Sequence, residues 1–339
     1  MQIFTCPACQ APLYFNNLTC GCGADVAFDP EAQAMVLDAD TCAHRADIGC
    51  NWVAEDGPYC RSCVMTEVVP DLSLPDNLPL WSNTELAKRW MLANLGRWGW
   101  FSRADTGARP HFRLLSEETR TGETQVTMGH DAGEITINIS EAGAATLAVR
   151  QEQMGELYRT MLGHMRHEIA HFLFERLAAG PSGETEFLPA FRALFGDERE
   201  DYAAALQQHY AAPQPADETH ITSYATSHPH EDWAETIAHI LHLTDLADSA
   251  AAAGLSLRDG AALPQRRGMF RRKAGAGAPP DAYAEADTEA LLTRAIDLSI
   301  AVNHVNRTMD LPDLYPFVLP QGLHDKLTFA HQSVRELPA

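Results

Sequence analysis

Two histidines four residues apart form the strongest chemical feature of the sequence, in the segment His167-Glu168-Ile169-Ala170-His171. On an α-helix, residues at this spacing differ by about 40° around the axis, so both imidazoles face the same side, as zinc ligands do. Glu168 lies roughly 100° from His167 and can reach a zinc-bound water. We therefore expect zinc-dependent hydrolysis, with Glu168 as general base toward a water that attacks a peptide carbonyl.

A third zinc ligand is expected in the segment 227–235, Ser-His-Pro-His-Glu-Asp-Trp-Ala-Glu. Glu231 and Glu235 are four residues apart and share one face of a predicted helix. Glu231 is the expected ligand, and Glu235 would accept the second N–H of a ligating histidine and orient its ring. Which of the two glutamates binds the zinc stays open. A second open interpretation is that both belong to an acidic helix face exposed to solvent. Three histidines are rival ligands: His228, His230 and His239.

The HExxH segment also has a simpler interpretation, because the chain contains 15 histidines and the two could be partly exposed helix residues. Its apolar neighbours favour burial instead, and buried imidazoles beside a carboxylate need partners that a metal supplies. These neighbours are Ile169, Ala170, Phe172, Leu173 and Phe174. His164 is expected to pack in the core or to lie at the surface. It is three residues before His167, and one small ion does not bind ligands at this spacing and at the four-residue spacing of His167 and His171 together.

All eight cysteines lie between Cys6 and Cys63, which indicates a separate amino-terminal module. Tetrahedral zinc takes four ligands, and two short loops supply them in pairs. Redox-active dithiols are the competing interpretation of each Cys-x-x-Cys pair. A module this small needs bound metal to fold. The two expected sets are Cys6, Cys9, Cys20 and Cys22, and Cys42, Cys50, Cys60 and Cys63, with His44 as a substitute for one member of the second.

The rest of the chain is predicted to be mostly helical with a small sheet, an α+β fold in which strands and helices occur in blocks. Residues 64–80 contain three prolines and are expected to form an extended connector. The predicted domains are a zinc-ribbon module at 1–70 and a larger domain at 71–339. Strands are predicted at 112–115, 124–128 and 135–139, with a hairpin loop between the last two. Helices are predicted from Thr84 with a cap at Ser82 or Asn83, at 147–177, 187–195 and 202–210, from Pro229, and at 287–305 before a tail.

Composition restricts the classes of partner. The formal charge of −21 disfavours broad contact with nucleic acid or anionic membranes. The amino terminus lacks a secretory signal pattern, and no run of about 18 apolar residues occurs, so the cytoplasm is the expected location. The clustered cysteines are then expected to bind metal. The main basic cluster, which Gly and Pro surround, is expected to be a solvated loop: Arg266, Arg267, Arg271, Arg272 and Lys273.

The two segments together resemble the gluzincins, zinc peptidases with HExxH on one helix and a glutamate ligand on a later one. The pattern Glu231-x-x-Ala234-Glu235 is similar to the corresponding helix of anthrax lethal factor. In that enzyme, a tyrosine seven residues before the glutamate ligand helps to stabilise the oxyanion. Tyr224 has this offset here, so the resemblance implies a catalytic role for Tyr224, with a core tyrosine as the alternative.

Nearly the whole chain is similar to a bacterial family of zinc-binding metallopeptidases with an amino-terminal zinc ribbon. The resemblance implies a zincin-like catalytic domain that acts on a protein or peptide. Two departures are His230, where an aromatic residue is expected, and the Cys-x-Cys spacing at Cys20. The similar segments are CPAC, GCNW, CRSC, LGHMRHEIAHF, FRALFGDEREDYAAAL, SYATSHPHEDWAETIAH and DLPDLYPFVLP.

The leading hypothesis is a peptidase with one catalytic and two structural zinc ions, whose ribbon module recruits a protein partner or substrate. One alternative is a non-catalytic zinc-binding adaptor, and another is a DNA-associated zinc protease, which the charge of −21 disfavours. A dense charged turn could contact substrate or a second ion, but acidic residues at a helix start are the simpler interpretation. This turn contains Asp197, Glu198, Arg199 and Asp201.

Overall fold

A computed structural model describes residues 2–55, 57–154, 160–255, 257, 281–315 and 317–337, without the side chains of 145 and 151–154. The basic cluster at 266–273, predicted to be a solvated loop, lies outside these residues. Within the described ranges, no helix combines the length and the apolar character needed to cross a membrane.

Two small antiparallel hairpins and two single-turn helices surround the cysteines. Elements this short bury little apolar surface, and six of the eight cysteines are themselves buried. Gly49 ends the first of these helices in the left-handed conformation, at φ 63°, which residues with a side chain rarely adopt. The elements are β1 (Phe4–Thr5), β2 (Pro12–Leu13), β3 (Ala27–Asp29), β4 (Ala34–Val36), α1 (Arg45–Ile48) and α2 (Arg61–Val64).

A four-stranded mixed sheet follows, whose strands in spatial order are β5 (Thr66–Val68), β6 (His111–Leu115), β10 (Glu134–Asn138) and β9 (Gly129–Asp131). The central pair β6 and β10 is parallel, and Phe112, Leu114, Ile135 and Ile137 are fully buried, as the alternating pattern requires. β9 runs antiparallel to β10 and forms one edge of the sheet. A separate small hairpin pairs β7 (Glu118–Thr119) with β8 (Gly122–Glu123).

Helices make up most of the remaining structure, which confirms the α+β class. Short 3-10 turns lie at Ile139–Ala142 and Tyr224–Thr226. A π-helical turn at Gly183–Phe187 leads directly into the helix that begins at Leu188. The longer helices are α3 (Asn77–Gly96), α4 (Ala144–Met154), α5 (Met161–Ala178), α6 (Leu188–Phe195), α7 (Tyr202–Ala211), α8 (Pro229–Ala252), α9 (Thr288–Thr308) and α10 (Gln321–Arg335).

The strands predicted at 112–115 and 135–139 are confirmed, but the one predicted at 124–128 is wrong. The pairing begins only at Gly129, because the two-residue turn at Ala132 and Gly133 brings the three residues before it against β10. Both turn residues have positive φ, 47° and 88°, as a tight hairpin turn requires.

Three helix predictions need correction. The connector predicted at 64–80 contains strand β5 and the start of α3, and Ser82 lies inside α3, where it donates to the Ile48 carbonyl instead of capping. The helix predicted at 147–177 is interrupted, because Thr160 is extended and caps a new helix by accepting from the Gly163 amide. The predicted tail contains α10, whose buried residues have helical spacing: Leu323, Leu327, Ala330 and Val334.

The cysteine-rich segment packs directly on α3. Buried residues of this segment and of the helical part form one continuous hydrophobic cluster. The rings of Phe15 and Trp90 meet edge to face at 5.4 Å, and Arg89 Nε donates to Asn51 Oδ1 at 3.1 Å. Because α3 also packs against α5, the same helix joins the cysteine-rich segment to the HExxH helix.

Candidate metal centre

Helix α5 presents the HExxH segment from a largely buried position. Thr160 caps the helix, and apolar residues bury most of its circumference, including Ile169, Ala170 and Leu173. The neighbouring helix α8 is held in register because Trp233 Nε1 donates to the Ala170 carbonyl at 2.9 Å. This bond places the first turns of α8 beside the HExxH turn of α5.

Donor atoms of His167, His171 and Glu231 converge in one place. The Nε2 atoms of the two histidines are 3.3 Å apart, and His167 Nε2 is 3.0 Å from Glu231 Oε2. His171 Nε2 is 3.6 Å from Glu231 Oε1. Tetrahedral zinc with bonds of 2.0–2.1 Å requires donor separations of about 3.3 Å, so these three residues fit a zinc ion.

Glu235 lies behind this group. His167 Nδ1 is 2.8 Å from Glu235 Oε1, so the ring nitrogen that faces away from Glu231 has its own carboxylate partner. Such a bond fixes the ring orientation and makes the other nitrogen a better metal ligand. Glu231 thus faces the Nε2 atom of His167, and Glu235 faces its Nδ1 atom.

The charges around His167 favour a cation. Burial disfavours a charged His167, but its hydrogen bonds to the Glu231 and Glu235 carboxylates outweigh burial and raise the pKa of His167 well above its ordinary value. Burial also opposes charge on Glu231, yet His171 and His167 hold the pKa of Glu231 well below its usual range. A site that stabilises positive charge to this extent suits a divalent cation.

The three rival histidines have other contacts. His228 caps α8, where its Nδ1 accepts from the His230 amide at 3.1 Å. His239 Nδ1 lies 2.7 Å from the Tyr315 hydroxyl, in the core. His230 borders the site, but its ring packs edge-on against Phe174 at 4.7 Å. Among the described residues, the group that could hold an ion here contains only His167, His171 and Glu231.

A cleft with an empty volume of about 690 Å³, counting the part open to solvent, borders the three donors. Glu168 is 7% exposed and lines the cleft, and its Oε2 has no hydrogen-bond partner among the described residues. A buried carboxylate oxygen without a partner needs water or a substrate group. The cleft is lined by Met128, Gly129, His130, Asp131, Ala132, His167, Glu168, His171, Phe174, Glu175, Tyr202, Tyr224, His230 and Glu231.

Tyr224 lies in the 3-10 turn before α8, with its ring 5.9 Å from the ring of His167. Two other cleft residues do not follow from motif spacing. His130 on the edge strand β9 stacks on His171 at 6.2 Å, and burial lowers its pKa to about 4. Tyr202 donates to Glu231. Sequence reasoning missed both residues, because His130 is on a strand and Tyr202 is on a separate helix, and no regular spacing connects either of them to the HExxH segment.

The cysteines form two groups of four, the sets predicted from the sequence. Zinc–sulfur bonds of about 2.3 Å require sulfur separations of about 3.8 Å. Cys9 and Cys20 are 3.6 Å apart, and Cys50 and Cys63 are 3.8 Å apart, too far for disulfides and suited to zinc. The second group is fully buried, whereas Cys9 and Cys22 of the first are exposed. His44 instead stacks on Tyr59 at 4.7 Å.

The remaining candidates have structural contacts. His164 Nε2 lies 2.9 Å from Glu141 Oε2, away from the three donors. In the charged turn, Asp197 pairs with Arg199 and Glu198 with Arg192. Asp201 caps α7 by accepting from the Ala204 amide, which agrees with a helix start.

Comparison with known proteins gives two family matches. Residues 77–333 match the family described as "Putative zinc-binding metallo-peptidase", and residues 3–74 match a zinc-ribbon domain. Uncharacterized proteins of Mycobacterium bovis and Mycobacterium tuberculosis are each 36% identical over 353 aligned positions, covering 99% of this chain and 96% of the relative. No solved structure matches the chain.

Proposed function

We propose that this chain, which belongs to the zinc-binding metallo-peptidase family, cleaves peptide bonds as a gluzincin, with His167, His171 and Glu231 as zinc ligands. The observation that supports this most strongly is the convergence of the three donors, at separations of 3.0, 3.3 and 3.6 Å, on the wall of an open cleft. A non-catalytic adaptor needs no such cleft.

Glu168 is the proposed general base. His167, His171 and Glu231 would hold a zinc ion, which would supply Lewis acidity toward the substrate carbonyl and the attacking water. Glu168, with its unpartnered Oε2 in the same cleft, takes the proton of the attacking water and returns it to the leaving amine. Tyr224, beside His167, donates a hydrogen bond to the oxyanion that forms on the substrate.

The eight cysteines are proposed to hold two structural zinc ions in a module at 1–70, and the catalytic domain is proposed to span 71–339. The buried second cysteine group next to α3 supports a structural role, since its metal would stabilise the packing of the ribbon on the helical part. The exposed side of the ribbon is the proposed surface for a protein partner, and the cytoplasm is the proposed location.

The test compares the zinc-loaded wild type with Glu168→Gln and a matched control, Glu123→Gln, at an exposed position on β8. Each is incubated with an unfolded protein and a mixed peptide library, and cleavage is followed by mass spectrometry. We expect Glu168→Gln to retain three zinc ions and to lose cleavage by at least about 10²-fold, with the control unchanged. Cleavage by Glu168→Gln at the wild-type rate would refute the mechanism.

A further inference from the structure

Tyr202 contacts the proposed metal ligand directly. Its hydroxyl donates to Glu231 Oε1 at 2.6 Å, across 29 residues of sequence. Hydrogen bonds from hydroxyl groups to carboxylates are short and strong, and this distance is typical of them, at about 2.5–2.7 Å. Glu231 Oε2 lies 3.0 Å from His167 Nε2, whereas Oε1, which accepts from Tyr202, lies farther from the ring nitrogens, at 3.6 Å from His171 Nε2.

The position of Tyr202 is defined on both sides. Asp201 caps α7, which fixes the backbone at Tyr202, the first residue of the helix. The Tyr202 ring packs edge to face on His228, with ring centres 5.1 Å apart. His228 is 3% exposed and caps α8, the helix that contains Glu231. The cap of α7 and the packing on His228 therefore hold the Tyr202 hydroxyl toward Glu231.

Helix α7 is held by side-chain contacts and not by a buried face, and its His209 ring also lies 5.9 Å from the ring of Tyr224. None of its residues is buried, and Tyr202 itself is 43% exposed. Most stability of a protein helix comes from packing of an apolar face, so a helix of ten residues without one depends on specific contacts. Tyr202 supplies such a contact at the wall of the cleft.

We propose that Tyr202 is a positioning residue that occupies one oxygen of Glu231 and leaves the other for the metal. A carboxylate can ligate zinc through one oxygen or through both. With zinc bound, the hydrogen bond from the phenol to Oε1 would favour ligation through Oε2 alone, and this would leave room for water or the substrate carbonyl. The inference rests on the proposed ligand set of His167, His171 and Glu231.

The experiment uses the full chain with its cysteine groups loaded, and compares the wild type with Tyr202→Phe and Tyr14→Phe. Tyr14 is 59% exposed and lies in the cysteine-rich segment, so its variant makes the same chemical change away from the histidine site. Zinc affinity at the histidine site is measured by competition with a chromophoric chelator, and the visible spectrum of Co²⁺ at this site reports the coordination number. Circular dichroism verifies that each variant is folded.

Tyr202→Phe should weaken zinc binding about 10- to 100-fold and reduce the Co²⁺ absorption, as a higher coordination number does, with Tyr14→Phe unchanged. Wild-type affinity and an unaltered Co²⁺ spectrum in folded Tyr202→Phe would overturn the inference. Because neither readout requires cleavage, this result is separate from the test of Glu168. A chain that cleaves nothing would refute the peptidase proposal and leave the role of Tyr202 to be decided by the affinity.

Discussion

The Nδ1 atom of His167 lies 2.8 Å from the Oε1 atom of Glu235, on the side of the ring that faces away from the proposed zinc position. Glu235 comes one helical turn after Glu231 on α8, so one helix face offers both the proposed ligand and the group that orients another ligand. Several expected outcomes follow from this arrangement and from the contacts that support it.

Glu235→Gln should lower zinc affinity at the histidine site about 10- to 100-fold, because a neutral amide no longer supports the ligating ring of His167 electrostatically. The measurement is competition with a chromophoric chelator at neutral pH. Glu123→Gln, an exposed substitution of the same kind, serves as control. Equal affinities in Glu235→Gln and the wild type would show that Glu235 does not tune the ligand.

Tyr224→Phe should reduce kcat about 10²- to 10³-fold and leave zinc affinity unchanged, because a donor to the oxyanion acts on the transition state and not on the metal. Steady-state kinetics on a peptide identified in the cleavage screen, together with metal analysis, test this. A variant with wild-type kcat would mark Tyr224 as a packing residue.

Paired Cys60→Ser and Cys63→Ser substitutions should destabilise the whole chain more than Cys9→Ser with Cys22→Ser. The second cysteine group is fully buried, and Asn51, next to Cys50, accepts a hydrogen bond from Arg89 of α3. We expect the first pair to lower the melting temperature by roughly 10 °C or more, and the exposed pair to have a smaller effect. Differential scanning calorimetry measures both, and equal losses would contradict the proposed role of the buried group.

Asp105→Asn should lower the free energy of unfolding at pH 7 by ~2 kcal/mol. Burial opposes ionisation of Asp105, but hydrogen bonds from Arg176 on α5 and from the amides of Phe101 and Gly107 outweigh it and lower the pKa of Asp105 to about 2. The bond with Arg176 is bidentate, at 2.8 Å to each oxygen, and joins this loop to the HExxH helix.

The pH dependence of this effect has a definite sign. Since the pKa of Asp105 is lower in the folded than in the unfolded chain, its stabilisation is complete above about pH 4 and is lost as pH falls toward 2. The difference between wild type and Asp105→Asn should therefore narrow over that range in urea unfolding curves. Asp325→Asn, on the exposed face of α10, is the control, and a difference that stays constant down to pH 3 would contradict the prediction.

The local parts of this structure could be predicted from the sequence, because their geometry depends on short spacings. The offset of four in His167 and His171 places both rings on one side of a helix wherever that helix packs. The cysteine pairs likewise define two groups of four, and the strands at 112–115 and 135–139 follow from alternation alone. Helix boundaries were predicted less well, because the cap at Thr160 and the apolar face of α10 depend on details that a broad periodic pattern does not resolve.

The arrangement of the proposed site was decided only by the tertiary structure. Glu231, His228, His230 and His239 occupy one segment and were all plausible ligands, but the bond from Trp233 to the Ala170 carbonyl sets α8 against α5 so that Glu231 faces the two histidines. Tyr202 reaches Glu231 across 29 residues, and His130 reaches the cleft from a sheet edge. Distances of this kind depend on how helices and strands pack, and packing is determined by the shape of the whole core, which no short segment contains.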